Sequence, residues 1–347
     1  MKLLVFNYAM DEHNPIFSHQ CEIVERLARH YSQVTVITSH LSSRYRNPEL
    51  RVLDARWNSQ SPFLSVFRFF FLFIIEIIRN KPDVVFSHMT ELQSATTAPV
   101  TKLLRIPHYL WYAHASFSLY LKWSTYFVDG IITSTVGSCP YSGPKKICIG
   151  QSINQHLFVF REHNIRIPLR LIHVGRIDPS KRLETLISLS KTLSGNHYIN
   201  KLLLVGSPTK SSQSENYPAQ LKELVSRFRI HVDFLEAVPR ENLPNLLAEN
   251  DIFVHAFEGS LDKTLIEATM SGLPVLTLNE EYGLIFGNWG TNNEKCGSLI
   301  SQFQYLISLN EKELRAELIR RRDIAIKEHS LESWIEKLNN ILQYRIC

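Results

Sequence analysis

Paired cysteines are missing from this 347-residue chain: Cys21, Cys139, Cys148, Cys296 and Cys347 lie far apart, with no CxxC among them. An odd, scattered set does not build a disulfide framework or a cysteine-ligated zinc site, so the five read as reduced thiols in a cytosol. Also absent are a GxGxxG after the first strand, a GxxxxGK[ST] loop and an HExxH pair. Dinucleotide, P-loop and zinc-hydrolase readings therefore have nothing to rest on. There is no low-complexity tract or internal repeat, which sets disorder aside. Basic residues are not interleaved with aromatics in a stripe, so no nucleic-acid partner is expected. The N-terminal MKLLVFNYAMDEHNP meets acid at Asp11 after a short apolar run, the pattern of a first strand and not of a signal peptide, and the expected location is cytoplasmic.

What is present is a globular composition, 44% hydrophobic and 20% charged, with a formal net charge of +5. The length fits two domains, and the positive balance suits an acidic partner such as a nucleotide sugar or an anionic membrane face. Short apolar runs alternate with helical spacing from the start: Leu3 to Phe6, then Phe17, Cys21, Val24, Ala28 and Tyr31, then Val34 to Thr38. Runs at Val84, Tyr109, Ile131 and Ile147 continue the series. The pattern breaks into polar residues over 150–168 and resumes with strands at Leu171, Leu202, Val232, Ile252 and Val275. Continuously apolar strands separated by crossovers predict parallel, doubly wound sheets. The expected organisation is one α/β domain over 1–165, a second over 166–330, and a terminal helix, 331–347, that packs back toward the first. Two such domains imply a cleft between them, with ligands outside the carboxyl ends of the strands.

The most apolar window, Pro62 to Ile78, is close to bilayer-spanning length. Arg68 and Glu76 lie inside it and a strand follows at once, so it reads as a buried helix leading into a sheet. Peripheral rest on a membrane is compatible with the same residues.

Two segments carry chemistry. His173-Val174-Gly175-Arg176-Ile177-Asp178-Pro179-Ser180-Lys181-Arg182 is a strand that ends in glycine and opens on three basic groups before a helix. A planar guanidinium, an ammonium and helix-terminal amides together suit a diphosphate; a solvated basic turn is the plain alternative. The second, from Glu258 through Gly259, Ser260, Leu261, Asp262, Lys263 and Thr264 to Glu267, is a loop that enters a helix. Its amides face phosphate, and Glu267, one turn in, can accept two ribose hydroxyls or serve only as a carboxylate near the helix start.

These two motifs make the chain resemble the retaining family 4 glycosyltransferases of the GT-B fold, two Rossmann-like domains facing a central cleft. The resemblance spans nearly the whole chain. It implies that Arg176 and Lys181, from the family's G-R-x(4)-K stretch, hold the donor diphosphate and that Glu267, the second carboxylate of E-x7-E, holds the ribose. The position eight before Glu267 is Gly259, so the first carboxylate is displaced. Either Glu258 or Asp262, the latter with Lys263, replaces it. Val238, at a strand end, matches the loop that meets the nucleotide base. The donor set is thus Arg176, Lys181, Val238, Glu258, Ser260, Leu261, Asp262, Lys263, Thr264 and Glu267. In the first half His114 matches a cleft histidine near the transferred sugar, which makes His114, Arg176 and Lys181 the catalytic set. His19 and Gln20 stand where many members carry a Gly-Gly pair, on the acceptor side.

By the same resemblance the donor is a nucleotide-diphosphate sugar and no cofactor or metal is required. The acceptor is a saccharide or lipid-linked saccharide, with work at the inner membrane face in surface polysaccharide or glycolipid assembly. A non-catalytic, sugar-nucleotide-binding scaffold subunit and another GT-B activity such as an epimerase are the alternatives.

Overall fold

The computed structural model describes residues 1–14, 17–114, 116–163, 165–209, 215–290 and 298–343. Cys296 and Cys347 lie outside these; Cys21 and Cys139 are buried free thiols, and Cys148 is exposed. The chain divides into two compact units, Met1–Ser152 with Leu331–Cys347, and Ile153–Ser330.

Unit one runs β1 (Lys2–Met10), α1 (His19–Ala28), β2 (Gln33–Leu41), β3 (Leu50–Asp54), α2 (Pro62–Asn80), β4 (Val84–His88), α3 (Glu91–Leu103), β5 (His108–Trp111), α4 (Leu119–Phe127), β6 (Gly130–Thr133) and β7 (Lys146–Cys148). The strands form one sheet in the order β3-β2-β1-β4-β5-β6-β7, every neighbouring pair parallel. Its strands are apolar on both faces because both are covered. Leu3 and Val5 of β1 join Val24 and Leu27 of α1 in one core, while Leu4 and Phe6 join Phe69 and Phe73 of α2 in another.

Unit two runs β8 (Leu169–Val174), α5 (Leu183–Gly195), β9 (Ile199–Val205), α6 (Tyr217–Phe228), β10 (Val232–Leu235), α7 (Leu243–Ala248), β11 (Ile252–His255), α8 (Lys263–Met270), β12 (Val275–Thr277), α9 (Glu280–Phe286), α10 (Leu299–Ser308) and α11 (Glu311–His329). Its sheet, β10-β9-β8-β11-β12, is again parallel. The last helix, α12 (Leu331–Gln343), belongs to unit one, where Trp334 and Leu338 enter the α1 core and Trp334 meets Trp111 edge-on at 5.1 Å.

Three expectations are corrected. The units change at Ser152 and not at residue 165, because Ile153 bridges Ser330 in parallel and Phe158 is buried in unit two's core. β3 was not anticipated: it is an edge strand, LRVLD, with only Leu50 fully buried, and so lacks the apolar run that marked the others. And α2 is not a buried helix. It buries Ser65, Phe69, Phe73 and Glu76, keeps Phe70 partly buried against the same core, and turns Phe63, Phe67 and Phe71 outward. Glu76 accepts hydrogen bonds from Thr35 Oγ1 (2.9 Å) and Asn80 Nδ2 (2.6 Å), and Arg68 donates to the Arg56 carbonyl (3.0 Å). Among the described residues no helix is long and apolar enough to cross a membrane.

Candidate functional site

In both sheets the first strand is flanked by strands that leave it in opposite directions, β1 by β2 and β4, β8 by β9 and β11. At such a switch point the loops at the carboxyl ends splay apart and leave room for a ligand. In unit two those loops are 175–182 and 256–262, and they hold most of the residues singled out from sequence.

The first loop is shaped by a close approach of backbones. Gly175 donates to the Val205 carbonyl at 2.9 Å, and Gly206, at φ +154°, lies so near the Gly175 carbonyl that a Cβ has no space. Arg176 follows, exposed, its guanidinium without a partner among the described residues. Asp178 then folds the chain inward: its carboxylate accepts from Ser180 N (3.0 Å), Ser180 Oγ (2.6 Å) and Thr209 Oγ1 (2.6 Å). That turn buries Lys181. Its ammonium donates to Asp262 Oδ2 at 2.5 Å and lies 3.8 Å from the centre of the Phe257 ring.

Asp262 is the hub of the second loop. Its Oδ2 also accepts from His255 Nε2 at 3.0 Å; His255 Nδ1 is 3.2 Å from the Thr277 hydroxyl, which accepts the Asn279 N–H at 3.0 Å. Burial alone would push the Asp262 carboxyl up. The hydrogen bond from His255 and the charges of His255 and Lys181 outweigh it and hold the group well below the usual carboxylate range. Asp262 is also the N-cap residue of α8, yet its side chain caps no amide there, being turned to Lys181 and His255. The start of α8 is thus left with backbone donors and no side-chain cap.

Asn279 clamps the loop from α9: its side-chain amide donates to the Gly259 carbonyl at 2.9 Å while its Oδ1 accepts the Tyr282 N–H at 2.9 Å. Leu261 N–H reaches Glu281 Oε2 at 3.2 Å. Of the loop residues named from sequence, Leu261 puts its side chain into the core, Ser260 is half-buried, and Thr264 Oγ1 is buried without a hydrogen-bond partner. Glu258 is exposed and ion-paired to the Arg182 guanidinium.

One turn into α8, Glu267 is buried and accepts from Arg240, which follows β10, at 2.6 Å. Lys263, four residues before it and half-buried, forms no hydrogen bond or ion pair among the described residues. Burial first, then the Arg240 charge, pushes its ammonium down to about 7, with Glu267 pulling the other way. Two cations therefore flank one carboxylate. Val238, two residues before Arg240, is half-buried against the α7–α8 core.

Unit one holds the other three candidates at carboxyl strand ends. Gln20 is fully buried in α1 and its Oε1 accepts from Tyr8 N (3.1 Å) and Ala9 N (3.0 Å), tying the helix to the end of β1. His19 sets its ring 5.9 Å from that of His88 at the end of β4, across the β1/β4 switch point. His114, exposed beyond β5, has its ring 5.7 Å from Tyr112. Sequence reasoning missed Arg240, His255, Asn279 and His88. A strand-terminal histidine was the available signal for His255 and His88; Asn279, ahead of a helix, was legible only as a cap.

Comparison with known proteins finds a family match for part of the sequence and a known fold for the whole chain. Residues 160–286 match the family model described as Glycosyl transferases group 1, a stretch that holds every donor-side candidate. The fold of the whole chain is GT-B, two parallel-sheet α/β domains. Among particular proteins, YtcC of Bacillus subtilis (strain 168), a glycosyltransferase by name, is 30% identical over 112 residues, 31% of this chain and 28% of its own length. The structure of Anabaena HepE in complex with UDP aligns with a TM-score of 0.72 at 14% identity, over 99% of this chain and 100% of that one. Sucrose-phosphate synthase from Thermosynechococcus elongatus aligns with a TM-score of 0.73 at 14% identity, over 100% and 99%. At that identity the two structures speak for the fold.

Proposed function

We propose that the protein is a retaining family 4 glycosyltransferase that moves a sugar from a nucleoside-diphosphate sugar to a hydroxyl of a saccharide or lipid-linked saccharide. The carrying observation is that segment 160–286, which matches the family model, folds into a switch-point site in which Arg176 is exposed and without a partner among the described residues, and in which α8, the helix after the second loop, has no side-chain cap on its first amides. HepE, which shares the fold, has been solved with UDP and with UDP-glucose, which supports a nucleotide diphosphate for the same place.

On this reading unit two binds the donor and unit one the acceptor. Arg176 and the α8 amides offset the charge that grows on the departing diphosphate as its bond to the anomeric carbon breaks. The acceptor oxygen bonds to that carbon on the same face and its proton passes to the leaving phosphate oxygen. Lys181 acts through Asp262, whose carboxylate it holds against the start of α8. Glu267 accepts the ribose hydroxyls in exchange for Arg240. His114 is the catalytic group near the transferred sugar, His19 and Gln20 are the acceptor-side residues, and the work is done in the cytoplasm at the inner membrane face, in surface polysaccharide or glycolipid assembly. A donor-binding scaffold is the second reading, and one observation favours it: Glu258, the acid nearest the family's first carboxylate position, is taken up by Arg182.

A thermal-shift panel of UDP, GDP, ADP and their sugars, with and without magnesium, tests the reading. One diphosphate at about a hundred times its Kd should stabilise the protein by roughly 2.7 kcal/mol without magnesium, and Arg176→Ala should lose the shift. No shift with any nucleotide overturns the donor site. A shift without release of nucleoside diphosphate in the presence of any acceptor supports the scaffold.

A further inference from the structure

The outer surface of unit one is apolar where a helical layer ordinarily meets water. Helices α2, α3 and α4 cover the same sheet face: Phe69 and Phe73 of α2 and Val100 of α3 pack with Leu4, Phe6 and Val85, and Ala98 of α3 and Leu121 of α4 pack with Leu110 and Ile131. On the far side of α2, Phe63 is 91% exposed, Phe67 68%, Phe71 56% and Ile78 67%. Their spacing, in steps of four, four and seven, puts them on one stripe opposite the buried Phe69 and Phe73. Beside them α3 ends in exposed Leu103 and Leu104, and α4 exposes Leu119, Trp123 and Tyr126. A monomer seldom leaves so many large apolar side chains of one helical layer in water without a use for them.

Charge identifies the occupant. The exposed ionic groups of this layer and its loops are five cations, Arg79, Lys81, Lys102, Arg105 and Lys122, against one carboxylate, Asp83. α4 has no carboxylate; the one on α2, Glu76, is buried, and the one on α3, Glu91, accepts from Ser118 Oγ at 2.7 Å. Of the loop acids, Asp83 accepts the Lys2 N–H at 2.7 Å, and Asp129 accepts the His108 N–H at 3.0 Å and pairs with Lys102. A twofold-related second copy would set these cations against one another, whereas a bilayer with anionic headgroups complements them. Phenylalanine at the deepest positions with tryptophan and tyrosine beside them fits the interface between headgroups and acyl chains.

We propose that the α2–α3–α4 layer of unit one docks on an anionic lipid surface, with Phe63, Phe67 and Phe71 entering the acyl boundary. This deepens the inner-membrane part of the functional reading but needs neither donor nor acceptor, so its test is separate from that of sugar transfer. The full chain is floated with vesicles of phosphatidylcholine alone or mixed with phosphatidylglycerol. Flotation with the anionic vesicles should exceed that with the neutral ones by about tenfold or more and weaken in about 0.5 M salt. Phe63→Ser, Phe67→Ser and Phe71→Ser together should abolish it with the thermal midpoint kept, since these rings touch little of the core. Arg79→Glu with Lys122→Glu should remove the preference for anionic lipid. Wild type that floats with neither vesicle, or a triple variant that floats like wild type, overturns the proposal. So does a concentration-dependent dimer that the triple variant abolishes, which would assign the face to a second copy.

Discussion

At the scale of single residues, Glu267 is answered by two cations, and only Arg240 touches it. Lys263 is left with a lowered proton affinity, about 7 against an ordinary 10.5. The sign of its effect on stability follows. Between those two values the unfolded chain holds a proton that the folded one has shed, so wild-type stability rises with pH across that window, and the cost is full below it. Lys263→Met should therefore be more stable than wild type at pH 6, and the advantage should shrink as pH climbs toward 10. Urea unfolding at several pH values checks this; a constant difference would mean that Lys263 keeps an ordinary affinity. Arg176, Lys181 and Glu267 were visible in the sequence because each sits at a set offset from a strand end or helix start. Arg240, His255 and Asn279 were not, since what each touches comes from a different strand-end loop, and spacing carries no such pairing.

Elements set where those residues stand. The β8 and β9 ends converge because Gly206, at φ +154°, has no Cβ to keep the Gly175 carbonyl away. Gly206→Ala forces the backbone apart beside Arg176 and should destabilise unit two by more than about 2 kcal/mol, measured by denaturant unfolding. A loss under about 0.5 kcal/mol would show that the loops relax freely. Strands β1, β2, β4, β8, β9, β11 and β12 were legible because a sheet covered on both faces demands unbroken apolar runs. β3 was illegible for the opposite reason, being a half-exposed edge. The helical character of α2 was plain, but an all-round apolar helix reads as buried, and its outward stripe emerged only once the sheet claimed Phe69 and Phe73.

At the scale of the molecule, the chain forms one unit, then a second, and α12 completes the core of the first. Trp334 is buried there with Phe86 and Trp111, far from them in sequence. Calorimetry should resolve two unfolding transitions, and Trp334→Ala should lower one of them by about 3 to 5 kcal/mol and leave the other in place. A single transition that moves as a whole would mean that the units unfold as one. The sequence by itself determined the two doubly wound parallel sheets, the glycine-ended loop at Gly175 and the helix that bears Glu267, because periodicity and turn chemistry act over a few residues. Only the tertiary structure decided that Lys181 is buried on Asp262, that Arg240 covers Glu267, that the units change at Ser152 and that α2 faces outward. Those outcomes depend on which segments meet in space, and burial, ion pairing and exposure are properties of that meeting.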